Sequence, residues 1–208
     1  MKSKLESSLT DTLKNSQLSS VISDAGELSL DSILKDGLLK DIPVISSMLN
    51  LFKLGVSLQN YFLLSKLLSF LKSLDNVNIE SRKQAIKKLE ADTEYSQNVG
   101  EHLILLLDRM DDLNKPKMIA RAFTAYCKKE INSVQLQRLY YAIDRILLCD
   151  NSHIKTFLNN RGKEELPVDI EQNFVNSGLG YVKSGYGVGG VYPTELCGLF
   201  YKYALQKE

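Results

Sequence analysis

IPVISSMLNLFKLGVSLQNYFLLSKLLSFL, residues 42–71, runs for thirty positions with only Lys53 and Lys66 charged, and its placement decides the fold. About twenty apolar residues suffice to cross a bilayer, so length alone permits a membrane span. Composition argues the other way. Ser46, Ser47, Asn50, Ser57, Gln59, Asn60 and Ser65 interrupt the run, and a central lysine costs roughly 2.5–3.5 kcal/mol on insertion scales. A helix that is apolar on most sides is instead expected at the centre of a helical array. Pro43 suits a first helical turn, Asp41 is the expected cap, and Gly55 is expected to bend the run or split it near Gly55 to Asn60. The competing use of this surface is contact with a partner or a bilayer through Leu49, Leu51, Phe52, Leu54, Leu58 and Phe62. That contact includes a conditional form, sheltered at rest and released by a trigger.

Working outward, the chain of 208 residues is 44% apolar with a net charge of +1, enough to bury a core and too balanced to attract nucleic acid or acidic lipid by its overall field. Residues 1–30 carry Leu5, Leu9, Leu13 and Leu18 among serines and aspartates, and are expected to be partly disordered, at most a weak amphipathic helix. No signal peptide is expected in MKSKLESSLTDTLKNSQLSS, which has acidic residues and no apolar core. A helical domain is expected over 31–150. Asn78 caps IESRKQAIKKLEA, Asp92 is the expected cap for the helix through VGEHLILLLDRM, Asn114 and Pro116 open KPKMIARAFTAYCKKE, and Asn132 or Ser133 opens VQLQRLYYAIDRILLC. Short loops predict antiparallel neighbours.

Two of these helices share a phrase thirty-six positions apart, Leu107-Asp108-Arg109-Met110 and Ile143-Asp144-Arg145-Ile146. Adjacent opposite charges inside an apolar helix face are costly unless paired. Structural ion pairs are therefore expected, Asp108 with Arg145 and Arg109 with Asp144, setting register rather than performing chemistry.

Residues 151–166 read as a polar linker. Residues 167–208 read as a short helix, a glycine-rich hairpin and a last helix opened by Thr194. The helix closing on Gly178-Leu179, the turn around Gly185 to Gly190 and the helix start at Tyr192-Pro193-Thr194-Glu195 together resemble the wing of a winged-helix domain. The resemblance covers about forty residues and implies a nucleic-acid contact, for which Lys183 is the candidate. Lys183, Lys202 and Lys207 are the cations of this segment, so nucleic acid is the lesser expectation.

Motifs that carry chemistry fail in their details. His102 follows Glu101 without a second histidine one turn on, and His153 lies beside Asp150 and Asn151, with Cys149 the nearest thiol and no nucleophile indicated for catalysis. Asp108, Asp111 and Asp112 sit at helical spacings that suit a divalent cation, but they read better as a helix end and a solvated turn. KKEINSVQLQRLYYAI lacks the ligands of an EF-hand, and the glycines at 185, 187, 189 and 190 are not followed by the Lys-Ser/Thr of a P-loop. Cys127, Cys149 and Cys197 are expected as buried, reduced thiols, which places the chain in a cytoplasmic compartment, with the periphery of the inner membrane as the alternative. No catalytic residue, cofactor, metal or small-molecule ligand is implied.

The run KDIPVISSMLNLFKLGVSLQNYFLLSKLLSFLKSL, with LLLDRMDD and AIDRILL, resembles small uncharacterised helical proteins of bacterial prophage and phage-defence neighbourhoods. The resemblance spans about half the chain and transfers no site residues. It implies a role in host–phage conflict as a membrane-damaging effector or a regulator held by a partner. The expected fold is mainly α, a multi-helix array around a central hydrophobic helix with a small winged-helix-like α/β ending. The expected function is that of a non-catalytic interaction or effector protein, working through a protein partner or homo-oligomer and a possible membrane surface. The alternative is a winged-helix-like regulator with a helical dimerisation region.

Overall fold

The computed structural model describes residues 2–18, 39–53, 55, 57–74, 77–93, 95, 98–160, 166–185 and 188–206. The chain is mainly helical, with one two-stranded antiparallel hairpin among the described residues, near the C-terminus. It divides into two compact units, Met1–Ser133 and Val134–Glu208. The helix that starts at Ser133, expected to belong with a domain over 31–150, falls from Val134 onward in the second unit.

The first unit contains α1 (Lys2–Asn15), α2 (Pro43–Lys53), α3 (Leu58–Lys72), α4 (Ile79–Glu90), α5 (Val99–Arg109) and α6 (Lys115–Cys127). The run 42–71 folds as two helices, α2 and α3, separated at Gly55, whose φ of 146° is a conformation that side chains resist. Ser57 caps α3, its hydroxyl accepting the Asn60 N–H at 3.1 Å. Both helices turn apolar faces inward: Val44, Ile45, Met48 and Phe52 from α2, and Leu63, Leu64, Leu67, Leu68, Phe70 and Leu71 from α3 are buried. Among the described residues, no helix is long and apolar enough to cross a membrane.

The amphipathic helix expected on Leu5, Leu9 and Leu13 spans Lys2–Asn15. There α1 packs against α2, α4 and α5, with Leu5, Leu9 and Leu13 at 4%, 0% and 0% exposure; residues 19–30 of that segment lie outside the described residues. Ser8, Thr10 and Thr12 are buried along with its leucines. Thr12 donates to the Ser8 carbonyl at 2.8 Å and accepts the Val44 N–H at 3.0 Å, so the first turn of α2 is satisfied from α1 rather than by Asp41, which is exposed. The Ser8 and Ser47 hydroxyls share a hydrogen bond of 2.7 Å, and Lys14 bridges Glu90 of α4 at 2.8 Å.

Asn98, not Asp92, caps α5. Its Oδ1 accepts the N–H of Gly100 at 2.9 Å and of Glu101 at 3.3 Å, and also takes the Thr10 hydroxyl of α1 at 3.2 Å. Gly100 is required where it stands, because a Cβ there would drive into the Glu6 carbonyl and Thr10 Oγ1 of α1. Asn78 caps α4 as expected, accepting from Ser81 N–H at 2.8 Å.

The second unit contains α7 (Ser133–Arg145), a 3₁₀ turn (Leu148–His153), α8 (Ile154–Asn160), α9 (Val168–Asn176), β1 (Gly180–Gly185), β2 (Val188–Pro193), α10 (Glu195–Phe200) and a π-helical turn (Tyr201–Leu205). The expected linker 151–166 is therefore helical to Asn160. Ile154 and Phe157, three residues apart, are buried, and Phe157 stacks on Phe174 of α9 with ring centres 4.9 Å apart. Residues 161–165 lie outside the described residues.

The α9 helix ends as a Schellman turn: Leu179 N–H returns to the Phe174 carbonyl at 2.8 Å and Gly178 N–H to Val175 at 3.0 Å. The hairpin runs from Gly180 paired with Pro193 to Gly185 paired with Val188. Thr194 then ties the elements together. Its hydroxyl donates to the Gly178 carbonyl at 2.9 Å and accepts the Cys197 N–H at 3.2 Å, capping α10.

Candidate contact surface

Leu58 and Phe62 lie one turn apart at the start of α3, 78% and 55% exposed. Residues four apart share a helix face, so the two side chains form one apolar strip. Gln59 is exposed beside it, Lys53 and Ser57 are exposed at the bend that precedes it, and the Tyr61 ring meets Phe62 edge-on at 6.4 Å. The other residues expected at a contact behave differently. Leu49 and Leu51 are half-buried, Phe52 belongs to the core at 9% exposure, and Leu54 lies outside the described residues. The amphipathic pattern explains the split: α2 turns Val44, Ile45, Met48 and Phe52 to one side, whereas α3 begins a full turn before its buried stripe at Leu63.

Lys66, one of the two charges in the apolar run, has a structural task. It is 8% exposed, and its ammonium donates to the Asp108 carbonyl at 2.8 Å, capping the end of α5. Burial pulls its pKa below the usual lysine value, opposed by the nearby charges of Asp108 and Asp111. Asp108 and Arg109 are exposed in the first unit; in the second, Asp144 is half-buried and Arg145 exposed, with the Arg145 guanidinium 5.3 Å from the Tyr141 ring centre. The premise that these charges sit inside an apolar face is thus corrected, because Asp108, Arg109 and Arg145 reach solvent.

Asp111 pairs with Lys115 at 3.1 Å, and the Lys115 hydrogen bond holds its carboxyl below the usual range. Asp112 accepts the Asn114 N–H. Among the described residues no group of three His, Cys, Asp or Glu side chains stands close enough to hold a metal ion.

The histidine and cysteine candidates also find their places. His102 Nδ1 and Tyr95 hydroxyl share a hydrogen bond of 3.0 Å, and burial followed by the Arg109 charge lowers the imidazole pKa. Cys127 and Cys197 are buried, and desolvation pushes both thiols up to about 12. Cys149 departs from expectation. It is exposed, because α7 ends at Arg145 and the following 3₁₀ turn faces its Sγ outward, 3.4 Å from Asp150 Oδ1, which raises its pKa. Lys183 is exposed on β1 with its ammonium 5.7 Å from the Tyr192 ring centre.

Sequence reasoning missed Arg82, an interior cation on α4 at 1% exposure. Its Nη2 donates to the Ser16 carbonyl at 2.7 Å, while Nε and Nη1 have no partner among the described residues. An arginine between Ser81 and Lys83 reads as part of a solvated face, and no local signal marks it as interior. Compared with models of known protein families, with curated proteins and with solved structures, the chain matches none.

Proposed function

We propose that this chain is a non-catalytic interaction protein of a host–phage conflict system, and that the strip Leu58–Phe62 is where it meets its protein partner. The observation that carries the reading is the exposure of two large apolar side chains, one turn apart, at the start of a helix whose later turns, from Leu63 to Leu71, are packed. Water-exposed apolar surface of this kind gains about 25 cal/mol per Å² when covered, which favours a contact. The host–phage setting rests on the sequence resemblance of the α2–α3 run. Conditional membrane association belongs to the same proposal, since α1 covers the apolar face of α2 and its release would expose Val44, Ile45 and Met48.

The test is phage plating on cells that express the chain, alongside leakage from vesicles of bacterial lipid composition. Wild type is expected to lower plating efficiency, and Leu58→Asp with Phe62→Asp to restore it at unchanged thermal stability. Unimpaired activity in the double variant would remove the strip from the mechanism, and leakage would assign the contact to the bilayer.

A second reading, a winged-helix-like nucleic-acid regulator, is supported by the order of elements in the second unit, where α9 runs directly into the hairpin and Lys183 projects from it. The exposed Asp169 on α9 opposes it, as an acid there repels phosphate. Salt-dependent DNA binding that weakens on Lys183→Glu would favour this reading.

A further inference from the structure

The second unit holds an open cleft of about 460 Å³ lined by Gln137, Arg138 and Tyr141 of α7, by Gly178, and by Thr194, Glu195 and Leu196 at the start of α10; Arg138, Tyr141 and Glu195 are exposed at its surface. Its polar groups fall into two sets. The Thr194 hydroxyl is committed to the Gly178 carbonyl and to the Cys197 N–H, and so belongs to the frame. The Gln137 amide, the Arg138 guanidinium, the Tyr141 hydroxyl and the Glu195 carboxylate form no hydrogen bond or ion pair within the described residues.

Opposite charges therefore line one cleft without bridging each other. The Tyr141 ring and the Leu196 side chain supply apolar surface between them, and the Arg145 guanidinium lies against the Tyr141 ring at 5.3 Å, which steadies that ring. An anion alone would meet Glu195, and a cation alone would meet Arg138. A ligand that carries both charges satisfies both walls.

We propose that this cleft binds a small zwitterion with an apolar side chain, a free amino acid or a dipeptide, its carboxylate on Arg138, its ammonium on Glu195 and its side chain against Tyr141 and Leu196. Arginine suits the carboxylate because its planar donors match two oxygens, and Glu195 accepts an ammonium directly. The site is independent of the Leu58–Phe62 strip, which lies in the other unit.

The experiment is a titration of the ¹⁵N-labelled full chain with L-phenylalanine and with the dipeptide Leu-Phe, followed by amide chemical shifts. N-acetyl-phenylalanine, which lacks the ammonium, and phenylalaninamide, which lacks the carboxylate, are titrated in parallel. Saturable shifts are expected at residues 137–141, 178 and 194–196 with at least one of the two zwitterions, whichever fits the cleft in size. Each capped analogue of phenylalanine is expected to bind at least about tenfold more weakly than phenylalanine, or not at all, because a charge-assisted hydrogen bond is lost. Arg138→Gln and Glu195→Gln, both at exposed positions, should keep the spectrum of the folded chain and weaken the zwitterion by a similar factor. Absence of saturable shifts with both zwitterions at millimolar concentrations overturns the proposal. Capped analogues that bind as tightly as phenylalanine, or shifts that map elsewhere, overturn it equally.

Discussion

Replacing Gly100 with alanine probes the seam on which the first unit depends. The added Cβ would press on the Glu6 carbonyl and Thr10 Oγ1 of α1. Thr10 can rotate its side chain away, whereas the Glu6 carbonyl retreats only if α1 itself moves. Full release of α1 would expose Leu5, Leu9 and Leu13, a loss of roughly 5–9 kcal/mol at about 1.5–3 kcal/mol for each buried leucine. It would also break the hydrogen bonds from Val44 to Thr12 and from Thr10 to Asn98, each worth about 1 kcal/mol.

A partial shift costs less, in the range of about 1–3 kcal/mol usual for overpacking. Alanine recovers at most about 1 kcal/mol of helix propensity, and less in a first turn. The expected net destabilisation is about 2 kcal/mol, read from urea unfolding, with faster hydrogen exchange confined to residues 5–13 and 44–48. Thr10→Ser should not rescue it, since the Glu6 carbonyl stays in the way. Wild-type stability in Gly100→Ala, with α1 amides still protected, would refute the close approach of these helices.

Other outcomes follow from individual groups. The His102 imidazole has its pKa lowered from 6.5 by burial, so the unfolded chain binds the proton first; stability should be full above pH 6.5 and fall as pH drops below it. His102→Gln should flatten unfolding free energy between about pH 7 and 5, and an unchanged slope would show that another group is responsible. Lys66→Met removes the ammonium from the Asp108 carbonyl and should destabilise by about 1–2 kcal/mol, with Lys66→Arg milder; calorimetry of both variants decides it. Exposed Cys149 should react with a thiol reagent in the native chain while buried Cys127 and Cys197 react only after unfolding, and labelling of either buried thiol under native conditions would contradict the packing.

Much of the helical array was legible because its signals are local. Asn78 before a charged amphipathic stretch, Pro116 in a first turn, Gly55 dividing the apolar run and Thr194 opening the last helix each appear as expected. The α1 helix was underrated for a physical reason. Its leucines form a narrow stripe, and its serines and threonines look solvated until Ser47, Val44 and Asn98 are brought to them from distant positions. The same holds for Asn98, whose neighbour Asp92 has equal capping chemistry, and for Ile154 and Phe157, hidden among polar residues until Phe174 packs on them. Of the contact residues, Leu58 and Phe62 were separable from Phe52 only once the phase of each helix was known.

Photo-crosslinking in phage-challenged cells tests the contact most directly, with a benzophenone amino acid placed in turn at the exposed positions Leu58 and Phe62 and at the buried position Leu64. A discrete crosslinked protein is predicted from 58 and 62, absent from 64 and abolished from 62 by Leu58→Asp. No crosslink at 58 or 62, or the same product from all three positions, would contradict the assignment of this strip as the partner-binding surface.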